Sequence, residues 1–186
     1  HVRRQAPPLS HIETLRWEKI AERKETEFVI LESAGKGEKD VMVSPDIALC
    51  AACGKEMDDP GDRRYRYPFT NCTNCGPRFT IIADVPYDRP LTTMAPFTMC
   101  PSCQSEYDDP LNRRFHAQPN ACPVCGPALT LTDCSGRIIE TGDVIGCSAK
   151  LLKEGRILAV KGLGGFLLAC DATSSESVSR LRKRKK

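Results

Sequence analysis

Eight of the eleven cysteines in this chain fall into four C-x2-C pairs: Cys50 with Cys53, Cys72 with Cys75, Cys100 with Cys103, and Cys122 with Cys125. Two thiolates three positions apart on a tight turn can both reach one ion at about 2.3 Å, and a second such pair completes a tetrahedron. Within each half 18 residues separate the pairs, and 24 separate the halves. This pattern favours two zinc ions over disulfides, an iron–sulfur cluster or plain buried thiols. With sulfur filling all four positions there is no place for water, so the predicted zinc is structural and not hydrolytic. Which pairs share an ion is left open: sequential pairing is simplest, and interleaved or nested pairing also fits the spacings.

The elements that must hold these sulfurs are themselves repeated. Residues 50–77 recur at an offset of 50, with twelve identities that include Glu56/Glu106, Asp59-Pro60/Asp109-Pro110, Arg63-Arg64/Arg113-Arg114 and Gly76-Pro77/Gly126-Pro127. Each unit is too short and too polar to bury a core of its own, so a metal staple is expected. From Pro45 to about Thr132 there is no sustained helical periodicity, and the region reads as mostly irregular. Gly54, Gly76 and Gly126 follow three of the pairs, where a positive φ would turn N–H groups toward sulfur. Gln104 breaks that pattern and predicts a less regular third knuckle.

Four thiolates around one zinc leave a formal charge of minus two, which Arg63, Arg64, Arg113 and Arg114 could offset through contacts with the sulfurs. The rival readings are ordinary exposed arginines, or phosphate contacts to nucleic acid. Sparse aromatics and the neighbouring Asp58, Asp59, Asp108 and Asp109 make nucleic acid the weaker partner. Cys134, Cys147 and Cys170 read as small apolar residues, and His116 as a loop residue and not a ligand.

The flanks have a different texture. Phe28 to Ser33 reads as a strand and Ser33 to Asp40 as a linker. Val144, Cys147, Leu151 and Leu152 share a helical face that ends before Gly155. Ile157 to Val160 reads as a buried strand, Gly162 to Gly165 as a turn and Phe166 to Cys170 as a second strand, with Thr173 and Glu176 a capping box opening a last helix. The apolar runs are far too short to span a bilayer, which needs about 20 residues. Six of the 27 basic residues lie in the closing run, and against 24 acidic residues the rest of the chain is net negative, so it is no uniformly basic nucleic-acid binder. The absence of a secretory signal, with zinc-bound thiols read in place of disulfides, leads to the expectation of a cytoplasmic protein. The start at His1 and the end inside a basic run lead to the expectation of a piece cut from a longer polypeptide.

The run Cys50 through Asp59-Pro60, Arg63-Arg64-Tyr65-Arg66-Tyr67-Pro68-Phe69, Cys72-Thr73 and Cys75-Gly76-Pro77-Arg78-Phe79-Thr80 resembles the first zinc finger of the HypF hydrogenase maturation family. Arg113-Arg114-Phe115-His116-Ala117-Gln118-Pro119-Asn120-Ala121-Cys122 through Gly126-Pro127 resembles the second. Pro7-Pro8-Leu9 and the strand ending at Ser33 look like the close of an acylphosphatase-like domain. Lys161-Gly162-Leu163-Gly164-Gly165-Phe166 and Leu168 to Ala172 look like the opening of a YrdC-like domain, where Leu167 replaces a common histidine.

The resemblance implies a zinc-stabilised, mostly irregular tandem zinc-finger region flanked by α+β and α/β pieces. Its parts are 1–34, the acylphosphatase-like end with its linker; 45–132, the fingers; and 133–186, the start of the YrdC-like nucleotide domain. It implies an ATP-dependent carbamoyltransferase that forms carbamoyl adenylate from carbamoyl phosphate and ATP. The carbamoyl group then passes to the C-terminal cysteine of a HypE-like acceptor protein. Lys161, Gly164, Gly165 and Lys185 would border the adenylate or hold phosphate, and zinc would stiffen a bridge between two reactive domains. The alternative is a stand-alone zinc-finger module that binds protein or nucleic acid.

Overall fold

The computed structural model describes residues 2–6, 10–22, 26, 45–162 and 164–185. The expected strand over 28–33, the linker over 33–40 and the Pro7-Pro8-Leu9 segment lie outside the described residues. The chain divides into two compact units, one ending at Pro127 and one beginning at Ala128.

In the first unit each repeat opens with a two-turn helix, α1 (Ala51–Asp58) and α2 (Pro101–Asp108). The first cysteine of each quartet is the N-cap: Cys50 and Cys100 are extended, with ψ of 156° and 163°. Their carbonyls accept from Gly54 N and Gln104 N, both at 2.9 Å. Pro101 suits the first turn of α2, where its missing N–H has no partner to lose. Both helices stop at an aspartate held extended by the proline that follows, Asp59 before Pro60 and Asp109 before Pro110.

The finger region is mostly irregular as expected, and these two short helices are its α-helical part among the described residues. Each has eight residues and buries little beyond one cysteine, Cys53 or Cys103, so neither shows the apolar stripe that periodicity detects. The third knuckle is also as regular as the first, because Gln104 sits inside α2 where Gly54 sits inside α1. Positive φ is confined to Gly76 among the three knuckle glycines, at 73°. Gly126 is needed for space instead: a Cβ there would overlap the Tyr67 hydroxyl and the Ala121 methyl.

The loops after the helices repeat too. Arg66 and His116 both adopt left-handed backbone, φ 55° and 49°, and their amides close each loop on its own helix through Met57 O and Tyr107 O, at 2.9 and 3.0 Å. Between the repeats, Phe79–Ile81 and Arg89–Leu91 form short 3-10 turns joined by an Ile82↔Thr92 bridge. This segment supplies Met94 to a small core with Tyr67 and Ala121, packed by Ile81, Phe97 and Cys125. The Arg89 guanidinium ties the segment down by donating to the carbonyls of Gln118, Asn120 and Phe97 at 2.6 to 2.9 Å.

In the second unit α3 (Val144–Lys153) is capped by Asp143, whose carboxylate accepts from Gly146 N at 2.8 Å. It ends in a Schellman turn as its sequence predicts. Gly155 has φ 77°, and the amides of Gly155 and Arg156 donate to Leu152 O and Leu151 O at 2.9 Å. Strands β1 (Leu158–Gly162) and β2 (Gly165–Ala169) form an antiparallel hairpin in which Lys161 faces Phe166.

Two expectations fail in this unit. The strand expected to be buried is not: Val160 is 50% exposed, because a two-stranded hairpin offers little to cover its faces. The last helix, α4 (Ser175–Arg184), is capped by Ser174 and not by a Thr173–Glu176 box. The Ser174 hydroxyl accepts from Ser177 N at 3.2 Å. Asp171 occupies Thr173 instead, accepting from its amide and its hydroxyl at 2.9 and 2.7 Å, so the helix starts one residue later.

Candidate metal centres

Each repeat brings its four cysteines to one point. The Sγ atoms of Cys50, Cys53, Cys72 and Cys75 all lie within 4.8 Å of one another, as do those of Cys100, Cys103, Cys122 and Cys125. Pairing is therefore sequential, which resolves the choice that the spacings left open. The helix N-terminus positions the first pair of each quartet. The second pair sits on a tight turn, with Cys75 N donating to Cys72 O at 3.0 Å and Cys125 N to Cys122 O at 3.1 Å.

The geometry fits zinc. A tetrahedron with arms of about 2.3 Å has edges of about 3.8 Å. Observed Sγ–Sγ separations are 3.6 Å for Cys50–Cys72, 3.8 Å for Cys72–Cys75, 3.8 Å for Cys100–Cys122, 3.7 Å for Cys122–Cys125 and 3.6 Å for Cys103–Cys125. All eleven cysteines are free thiols. The donor set also asks for a cation. The hydrogen bond with Cys72 and burial push Cys53 up, while the same bond holds Cys72 down at about 4 against its own burial. Burial likewise pushes Cys103 up to about 12. Four crowded sulfurs cannot all ionise unless a metal balances them.

The arginine pairs do reach the sulfurs, but each reaches those of the other repeat. Arg63 donates to Cys103 Sγ at 3.3 Å and to Glu106 at 2.7 Å. Arg64, almost fully buried, donates to Glu106 at 2.6 Å, to Asn120 Oδ1 at 3.0 Å and to Ala121 O at 2.9 Å, and lies 3.6 Å from Cys103 Sγ. The mirror image holds for Arg113 and Arg114, which pair with Glu56 and approach Cys53 Sγ at 3.6 and 4.0 Å. Arg114 Nε donates to Asn71 O at 3.1 Å, the counterpart of the Arg64 contact with Ala121. The two clamps meet where Arg114 lies 3.8 Å from Glu106.

Burial opposes ionisation of Glu106, yet hydrogen bonds from Arg64 and Arg63 hold its carboxyl down at about 2. Glu56 is lowered in the same way by Arg114 and Arg113. These arginines are thus neither ordinary exposed residues nor free for nucleic-acid phosphates. Glu56, Glu106 and Asn120 were not singled out by sequence reasoning. The recurrence at the 50-residue offset signals the two glutamates, whereas Asn120 has Thr70 as its counterpart and no such signal. His116 belongs to neither quartet; its ring stacks on Tyr107 at 4.7 Å.

The residues expected at a nucleotide site are less concentrated. Lys161 and the Gly164–Gly165 turn share the β1–β2 hairpin, with the Lys161 ammonium 4.9 Å from the Phe166 ring centroid. A Cβ at Gly164 or Gly165 would meet nothing within 4 Å. Lys185 caps the far end of α4, its amide on Leu181 O, and no described contact brings it to the hairpin. No described helix is long and apolar enough to cross a membrane.

The HypF finger family matches residues 49–82 and 99–132, and the Sua5/YciO/YrdC family, described as "Telomere recombination", matches residues 150–186. "Carbamoyltransferase HypF" of Synechocystis sp. is 55% identical over 96% of this chain and 23% of its own length. "Carbamoyltransferase HypF2" of Cupriavidus necator is 50% identical over 99% of this chain and 23% of its own length. "Probable carbamoyltransferase HypF" of Methanocaldococcus jannaschii is 53% identical over 96% and 24%. The chain thus spans about a quarter of the length of the curated relatives it matches. Among solved structures, T. kodakarensis HypF superposes with a TM-score of 0.69 at 54% identity, over 77% of this chain and 19% of that one. A full-length HypF in a phosphate- and nucleotide-bound form gives 0.66 at 55%, over 77% and 18%. With its paired four-cysteine fingers and the opening of a YrdC-like domain, the chain belongs to the HypF carbamoyltransferase family.

Proposed function

We propose that this chain is the finger and early YrdC-like segment of an ATP-dependent carbamoyltransferase. The supporting observation is the pair of sulfur quartets, each with a tetrahedral edge length suited to zinc, inside a sequence about half identical to named carbamoyltransferases. Cys50, Cys53, Cys72 and Cys75 hold one zinc, and Cys100, Cys103, Cys122 and Cys125 the other. When bound, each zinc supplies a rigid four-way crosslink and no reactive water, since sulfur occupies every position.

In this reading the whole protein activates carbamoyl phosphate with ATP as carbamoyl adenylate and delivers the carbamoyl group to the C-terminal cysteine of a HypE-like acceptor. Lys161 and the open backbone of Gly164 and Gly165 border the nucleotide, and Lys185 contributes positive charge toward phosphate. Regions 1–34, 45–132 and 133–186 serve as the acylphosphatase-like end, the tandem fingers and the start of the nucleotide domain. The free thiols suit a reducing, cytoplasmic compartment.

The test is a carbamoylation assay with the full-length protein that carries this segment, given ATP, carbamoyl phosphate and a HypE-like acceptor. The expected result is one carbamoyl group on the acceptor's terminal cysteine by mass spectrometry, with a marked fall in rate for Lys161→Ala. An unmodified acceptor, together with salt-sensitive retention of the protein on nucleic acid, would replace this reading with a binding module.

A further inference from the structure

We infer that the two metal centres are cross-connected: the arginine pair of each finger hydrogen-bonds to the thiolates and balances the charge of the other finger's centre. Retention of metal by one finger therefore depends on the folded loop of its neighbour. This rests on the zinc reading above.

A zinc with four thiolates carries minus two, and leaving that charge half-buried without donors is costly. Among the described residues, no hydrogen bond joins a loop's arginine pair to the sulfurs of its own finger. Across the pair the match is reciprocal, Arg63 and Arg64 on Cys103 and Arg113 and Arg114 on Cys53. The cysteine approached is the same in each case, the second of the helix-borne pair. The glutamate one turn further along that helix, Glu106 or Glu56, holds the guanidinium groups in place.

The backbone adds a further tie. Thr73, inside the knuckle of the first finger, donates from its amide to Arg113 O at 2.9 Å and from its hydroxyl to Phe115 O at 3.1 Å. Pro123 stands at the equivalent place in the second finger and has no N–H to give. The loop carrying Arg113 and Arg114 is therefore seated on the first centre's own turn, whereas the loop carrying Arg63 and Arg64 is held to the second centre by side chains, including Arg64 Nε on Ala121 O.

The test uses the zinc-loaded protein, Arg63→Ala and Arg113→Ala, challenged with EDTA and pulsed with N-ethylmaleimide. Peptide mass spectrometry then reads each quartet separately. Arg63 and Arg113 are chosen because they are partly exposed, at 34% and 28%, and their loss threatens the fold less than loss of the buried Arg64 or Arg114. Arg63→Ala is expected to speed labelling of Cys100, Cys103, Cys122 and Cys125 about tenfold and to leave the first quartet within about twofold. Arg113→Ala is expected to do the reverse.

A second readout is the thiolate-to-metal charge-transfer band of the cobalt(II)-substituted protein. Loss of a donor to sulfur should move it to lower energy, with Arg63→Lys restoring part of the shift. Labelling that rises in the arginine's own finger, in both quartets equally or in neither would overturn the cross-connection. Wild-type protein that carries fewer than two zinc ions would instead overturn the zinc reading itself.

Discussion

Arg64 is a fully charged side chain at 2% exposure, and it is tolerable there only because Glu106, Asn120 and the Ala121 carbonyl use its N–H groups. Glu106→Gln leaves that guanidinium without its counter-charge and should cost about 1–3 kcal/mol in a urea unfolding midpoint of the zinc-loaded protein. Because Arg64 and Arg63 overcome burial and hold the folded carboxyl at about 2, below its ordinary 4.5, the stabilisation is complete above 4.5 and is lost only as pH falls toward 2. The gap between wild type and variant should therefore be flat from about pH 6 to about pH 8. A gap that changes across that window would contradict the assignment. The glycines of the knuckles offer a second residue-scale contrast. Gly126→Ala drives a methyl into Tyr67 and Ala121 and should destabilise by about 1–3 kcal/mol. Gly54→Ala points into open space within α1 and should stabilise by up to about 1 kcal/mol in thermal melts of the same protein.

At the scale of elements, caps decide where helices begin, and α4 shows how closely two neighbouring hydroxyls can compete. Ser174→Ala should cost about 1 kcal/mol, read as faster amide exchange through the first turn of α4, while Thr173→Ala should change that turn by much less. Equal effects would favour the Thr173–Glu176 box after all. Helix α3 was legible from start to end because a four-residue apolar face and the Gly155 turn agree. Helices α1 and α2 were not legible, since two turns that bury little beyond one cysteine leave no periodic trace. The β1–β2 hairpin was legible as two strands, but the exposure of the first was not. Apolar composition reports what a strand could pack against, and not whether that layer is present.

For the first unit as a whole, duplication was visible in the sequence and predicted the two quartets, but one offset cannot say which copy's arginines face which copy's sulfurs. That depends on how the repeats pack against each other, and packing placed Arg63 and Arg64 against Cys103 and Glu106. The small apolar group around Tyr67, Met94 and Ala121 is too slight to hold this unit, so metal should carry much of its stability. Chelation is expected to raise amide exchange across α1, α2 and the loops at 59–77 and 109–127, while α3 and α4 keep their protection because no quartet sulfur lies in them. The most direct measurement is native mass spectrometry of the purified protein before and after strong chelation. Two zinc ions per chain, and a finger region that unfolds when they are removed, are the predicted result. Fewer than two ions per folded chain, or a fold unchanged by their removal, would contradict it.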